Sequence, residues 1–185
     1  EALKLSMERL QHAIKGAEGG TMEVGGSYWA PFTPEQTAGE KSSNPAEYYA
    51  TSKLYKGNNQ LRDYQLSGLN WMIECYHGDR SCILADEMGL GKTVQVVTFL
   101  EHLYSVEDVR GPFLVVVPLS TLGHWQREIR GWTDMQCCIY HDRGKDMRQL
   151  IRTFEWFWPG AVPGKPSEDL KFQILVTTYD EVIKD

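Results

Sequence analysis

Leu3, Met7, Leu10 and Ile14 recur at the spacing of one helix face, and the run stops at Gly16. Residues 1–16 are therefore expected to form a short amphipathic helix whose apolar stripe needs a partner. Between Gly16 and Pro45 no period persists and Gly, Ser, Thr, Pro and Glu dominate, with doublets at Gly19-Gly20 and Gly25-Gly26. Segment 17–54 reads as a linker, partly disordered. Its Tyr28 and Trp29 lack a surrounding strand pattern, so they read as aromatics docked on the domain rather than as a ligand cage.

From Leu61 the pattern changes: Leu61, Leu69, Met72, Ile73 and Tyr76 line a helix that ends near Gly78. Short apolar runs then alternate with helical stretches. Strands are expected at Ser81 to Ala85, Phe113 to Val117, Gln136 to Tyr140 and Phe172 to Thr177, and helices at Lys92 to Val106, Thr121 to Trp132 and Lys145 to Phe157. The strands are too apolar for one-sided exposure. This alternation implies an α/β fold, a parallel sheet with helices on both faces, occupying 55–185. Pro159 to Asp169 carries three prolines and two glycines and is expected to be a surface loop.

Composition narrows the classes. The chain of 185 residues has room for one ordinary domain plus a tail, and its apolar fraction of 42% suffices for a core. No stretch approaches the ~18 apolar residues of a membrane span, and no apolar block of a secretion signal opens the sequence, so the chain reads as soluble. A net charge of −6 disfavours a surface that grips nucleic acid by bulk electrostatics, so any such contact must be local. Cys75, Cys82, Cys137 and Cys138 show no CxxC pair and no ligand-like spacing with histidine; they read as thiols in a reducing compartment.

The chemistry concentrates in Cys82-Ile83-Leu84-Ala85 followed by Asp86-Glu87-Met88-Gly89-Leu90-Gly91-Lys92-Thr93. An apolar run entering a glycine-containing turn and then a helix is the context that gives a GKT match a mechanism. There, backbone N–H groups from Met88 through Leu90 to Lys92 converge on a phosphate, and the helix amino terminus adds positive potential. Gly89 and Gly91 allow close approach, Lys92 neutralises the outer phosphates of ATP, and the Thr93 hydroxyl helps to hold Mg²⁺. Asp86 stands where the general pattern expects glycine. Asp86-Glu87 also follows an apolar run as a water-activating acid pair would, but the immediate GLGKT assigns both residues to the phosphate loop.

DEMGLGKT resembles motif I of the SWI/SNF-type ATPases of helicase superfamily two, in which the first glycine is commonly absent. LRDYQLSGLNWM, Leu61 to Met72, resembles that group's adenine-recognition segment, with Gln65 at the glutamine position; a carboxamide both donates to and accepts from adenine. FLVVVPLSTLGHWQREI and ILVTTYD resemble motifs Ia and Ib. The resemblance implies a RecA-like first helicase lobe and strand-tracking phosphate contacts by Ser120, Thr121, Thr177 and Thr178. KLYKGNNQLRDYQ with GPFLVVVPLSTLGHWQREIRGW is most similar to the chromodomain-helicase-DNA-binding (CHD) remodellers, and the loop between Phe157 and Phe172 to their Kismet-like branch. Related sequences tend to place glycine after the Tyr-His pair, whereas Asp142 follows Tyr140-His141 here, and Arg143 and Arg148 read as solvated charges.

The family implies an enzyme, an ATP hydrolase that translocates on duplex DNA to remodel nucleosomes in the nucleus, with histones reached through other regions. Its alternatives are a strand-separating superfamily-two helicase and a non-catalytic nucleotide-binding or interaction module. In this superfamily the carboxylates that position Mg²⁺ and water come from a DExH box, expected beyond Asp185; Asp180-Glu181 does not fit that role, since Thr177-Thr178-Tyr179 intervenes. Phosphate release by the 185-residue chain is accordingly expected to equal the buffer blank, with or without duplex DNA. DNA-stimulated turnover would refute this.

Overall fold

A computed structural model describes residues 48–159 and 166–184; the expected helix at 1–16 and the aromatics Tyr28 and Trp29 lie outside them. The described chain divides into two units, one of residues 48–110 and 124–135, the other of 111–123, 136–159 and 166–184.

In the first unit, helix α1 (Asp63–His77) and helix α2 (Lys92–Ser105) lie side by side. α1 starts where the Gln65 side chain reaches back to accept from the Arg62 N–H at 3.0 Å, half of a capping box. Leu69 and Ile73 are each 1% exposed and anchor a cluster with Tyr49, Tyr55 and Leu61. Each such side chain contributes about 1.5–3 kcal/mol by leaving water. The helices approach closely because Gly68 has no side chain: a Cβ there would lie 1.9 Å from Gln95 Oε1 of α2.

Segment 48–54, read from sequence as the end of the linker, is packed on this unit. The Asn70 carboxamide accepts from the Tyr49 N–H at 2.8 Å and donates to the Tyr49 carbonyl at 2.9 Å, pairing with it as a strand would. Half-buried Lys53 forms an ion pair with buried Glu101. The expected strand Ser81 to Ala85 is a correction: it joins no ladder among the described residues, and Ile83 is 85% exposed. An apolar run reports what can be buried, whereas a strand also needs a neighbour with free backbone groups.

The second unit is built on three parallel strands in the order β1 (Phe113–Val116), β5 (Ile174–Thr177), β2 (Cys137–Tyr140). Thr177 is in register with Val116 on one side and Tyr140 on the other. Central β5 buries Ile174 and Val176 completely. In this unit β1 is followed by a 3₁₀ turn at Leu119–Thr121 and β2 by helix α4 (Lys145–Glu155), whereas helix α3 (Leu122–Trp132) belongs from His124 onward to the first unit. The expected loop at Pro159 to Asp169 is in part a hairpin: β3 (Phe157–Pro159) pairs antiparallel with β4 (Pro166–Leu170). Proline lacks an N–H, but an edge ladder this short tolerates it. Helix α5 (Tyr179–Lys184) leaves β5, and the four cysteines form no disulfide.

His102, 1% exposed, has its Nδ1 2.9 Å from the Tyr49 hydroxyl and its Nε2 3.2 Å from Glu107 Oε1. Loss of solvation lowers its pKa from 6.5 to about 4, against the opposing pull of Glu107 and with help from Lys53 and His77. Between those values the unfolded chain binds a proton that the folded chain does not. The stability it supports is therefore complete above about 6.5 and is lost as pH falls towards 4. Thermal melts from pH 7.5 to 5 should show the wild-type Tm falling more than that of His102→Gln, at roughly 2–8 °C per kcal/mol; parallel curves would contradict it.

Candidate functional site

Residues Asp86 to Gly91 form the turn between the apolar run and α2, and they have no ladder or core of their own. Two carboxamides fix them. Gln65 of α1, 8% exposed, donates from Nε2 to the Leu90 carbonyl at 3.1 Å. Gln95 of α2, fully buried, donates from Nε2 to Asp86 Oδ2 at 2.8 Å. The first was singled out from sequence as an adenine contact. In the structure its amide joins the start of α1 to the loop, which places it beside Gly91.

The glycines are conformationally required. Gly89 has φ +88° and Gly91 φ +80°, the left-handed region that costs other residues about 1–2 kcal/mol. Space adds a second constraint at Gly91, where a Cβ would lie 2.5 Å from Gln65 Nε2, whereas at Gly89 it would meet nothing within 4 Å. Gly91 caps α2, so Lys92 and Thr93 open the helix. Lys92 Nζ donates to the carbonyls of Asp86 at 2.5 Å and Glu87 at 2.9 Å. Met88 and Leu90 are exposed at the tip. The residue that broke the glycine pattern, Asp86, thus anchors the loop through both its carboxylate and its carbonyl. A helix amino terminus, two left-handed glycines and an ammonium group together suit a polyphosphate.

The nucleic-acid residues expected from sequence divide into two kinds. Ser120 is exposed on the 3₁₀ turn after β1; the Thr121 hydroxyl donates to the Pro118 carbonyl at 2.8 Å. Thr177 is 2% exposed and donates its hydroxyl to the Tyr140 carbonyl at 2.7 Å, bridging β5 to β2. Thr178 is 4% exposed, its hydroxyl lies 3.5 Å from His141 Nδ1, and its carbonyl accepts from Glu181 and Val182 at the start of α5. Thr177 and Thr178, expected from sequence to contact phosphate, are thus buried, with hydroxyls directed to the Tyr140 carbonyl and to His141.

Arg148 is a second correction. Read as a solvated charge, it is 6% exposed, with Nε 3.0 Å from Glu181 Oε2 and Nη1 donating to the Asp142 carbonyl at 2.8 Å. His141 Nδ1 lies 3.4 Å from Glu181 Oε1, so a buried carboxylate from α5 meets an arginine from α4 and a histidine after β2. Arg143 is exposed as expected. The unusual Asp142 accepts from the Gly144 N–H at 2.7 Å, an Asx turn that starts α4. Sequence reasoning also missed Gln95. Sequence offered no signal that singled it out, because Thr98, Glu101 and His102 are also polar residues on the buried face of this helix.

Comparison with known proteins gives a consistent result. The SNF2-related domain model matches residues 64–185. Chromodomain-helicase-DNA-binding protein 6 of Rattus norvegicus is 40% identical over 153 residues, covering 82% of this chain and 6% of its own length. Chromodomain-helicase-DNA-binding protein 1 of Gallus gallus is 48% identical over 126 residues, covering 68% of this chain and 7% of its own. The chain therefore spans less than a tenth of these relatives. Among solved structures, the Sulfolobus solfataricus SWI2/SNF2 ATPase core in complex with dsDNA is similar with TM-score 0.54 and 28% identity, covering 71% of this chain and 24% of that one. The same core domain in a second structure has TM-score 0.56 at 24% identity, covers 80% of this chain and 26% of that one, and supports the fold.

Removing one partner of a buried ion pair strands the other charge, at a cost of about 3–5 kcal/mol. Arg148→Met should therefore lower the urea midpoint strongly. Arg143→Met, at an exposed arginine, should shift it by no more than about 0.5 kcal/mol equivalent. Equal effects would show that burial of Arg148 carries no energetic weight.

Proposed function

Because this chain belongs to the SNF2-related domain family, we propose that it is the nucleotide-binding part of the first lobe of a DNA-dependent ATPase that translocates on duplex DNA and remodels nucleosomes. One observation carries the reading: the turn with left-handed Gly89 and Gly91 leads directly into α2, with Lys92 as its first residue.

The loop fits a nucleoside triphosphate with Mg²⁺. Space beside Gly89 is open, and the Lys92 ammonium is held by two carbonyls, contacts that phosphate oxygens can replace. Lys92 is the catalytic cation, stabilising negative charge on the transferred phosphoryl group. The amides of Met88, Gly89, Leu90 and Gly91 cradle the phosphates, and the Thr93 hydroxyl holds Mg²⁺, which supplies further charge neutralisation. Gln65 reads adenine while remaining bonded to Leu90, so base recognition and loop position share one side chain.

In the other unit, Ser120 and the turn carrying Thr121 contact the DNA backbone from the carboxyl edge of the sheet, where α/β folds bind ligands. Thr177 and Thr178 support that edge through main-chain groups and inward hydroxyls. Such contacts need no basic field, in keeping with a net charge of −6. The similarity to chromodomain-helicase-DNA-binding proteins and to an ATPase core in complex with dsDNA supports duplex DNA and nucleosomes as partners and the nucleus as location. Among the described residues no helix is long and apolar enough to cross a membrane.

Isothermal titration of ATP with Mg²⁺ into a protein spanning both lobes should give one site per chain. Lys92→Ala should weaken it by roughly 2–4 kcal/mol and abolish DNA-stimulated hydrolysis. Unchanged binding and turnover in the variant would refute the assignment.

A further inference from the structure

The carboxyl-terminal ends of α1 and α2 bring together side chains that the nucleotide and DNA readings leave unused. His77 is the last residue of α1, His102 lies in the last turn of α2, and Glu107 follows it. Glu107 Oε1 is 3.2 Å from His77 Nε2 and 3.2 Å from His102 Nε2, and the three ligand atoms lie within 4.8 Å of one another. We propose that His77, His102 and Glu107 form a binding site for a divalent zinc-class ion that clasps these two helix ends.

Ligand chemistry and spacing support this. Two imidazoles and a carboxylate are a common donor set for zinc and its neighbours, with bonds of about 2.0–2.2 Å. Tetrahedral geometry at that bond length sets neighbouring donor atoms about 3.3 Å apart, matching both nitrogen-to-oxygen distances. The donors are also oriented from behind, as ligating histidines usually are. The Tyr49 hydroxyl holds His102 at its other ring nitrogen at 2.9 Å, and the Tyr48 ring meets His102 edge-on at 5.0 Å. Tyr48 also stacks on His77, with ring centroids 6.1 Å apart and planes at 23°. The His77 side chain is 48% exposed, which supplies an entry route and leaves a fourth position to water.

Without metal, the same spacing serves a carboxylate that accepts from two imidazole N–H groups. The two cases differ in how the chain responds to the ion. The 185-residue chain, stripped with EDTA, is titrated with Zn²⁺ by calorimetry and melted with and without the ion. Expected are one ion per chain, a raised Tm, and affinity reduced roughly tenfold or more in His77→Gln and in Glu107→Gln. Both substitutions fall on residues with accessible side chains, and circular dichroism checks their folding. Exposed Cys82 is the rival donor, with buried Cys75 near it. Cys82→Ser should leave binding unchanged, and Co²⁺ should give visible d–d bands without thiolate charge transfer. Absence of binding, affinity unchanged from wild type in the His77 and Glu107 variants, or loss of binding in Cys82→Ser would each overturn the site.

Discussion

A phosphate loop must expose its main chain to a ligand and yet hold one conformation, and here two glutamine carboxamides meet both demands. Gln65 ties Leu90 to the start of α1, and Gln95 ties Asp86 to the interior of α2. Hydrogen bonds do this without covering the loop, whereas apolar packing would bury the amides that the ligand needs. The arrangement in turn constrains the helices. Gln95 reaches Asp86 from between α1 and α2 because Gly68 leaves room for it, and Gly91 must lack a side chain because Gln65 occupies that space. Four positions spread over 31 residues of sequence, from Gln65 to Gln95, are thereby coupled in one geometry.

The second unit solves a related problem with charge. At the end of the sheet the Thr177 hydroxyl bonds the Tyr140 carbonyl of β2, the Thr177 carbonyl accepts from the Val117 N–H, and the Thr178 carbonyl opens α5. Glu181 then draws Arg148 and His141 inward, fixing α4 and α5 beneath the edge. Buried ion pairs of this kind add little net stability compared with apolar packing, but they penalise misplacement heavily. Their contribution is to define how α4, α5 and the chain after β2 meet.

Most of the fold and the centre of the candidate site were legible in the sequence because they are local. Helix positions followed from periodicity within α1, α2 and α4, and the loop from the consecutive residues GLGKT. The misreadings are all non-local. Ser81 to Ala85 has the composition of a strand, but pairing depends on residues elsewhere in the chain. Arg148 is indistinguishable from Arg143 until Glu181, 33 residues later, is brought beside it. The burial of Thr177 and Thr178 is likewise hidden, because sequence reports a hydroxyl but not its direction. The docking of Tyr49 is equally non-local, since it depends on the carboxamide of Asn70, 21 residues later.

The β3–β4 hairpin bears on how such a chain tolerates change. Its strands pair with each other and with no strand of the parallel sheet, and they lie inside the crossover from β2 to β5. Added residues between Pro159 and Pro166 would lengthen only a closed loop, costing about 0.6 kcal/mol for each doubling, while the register of β5 stays fixed. Length polymorphism should therefore accumulate at this one point of the crossover, where an insertion can acquire new contacts without disturbing the strand that carries Thr177.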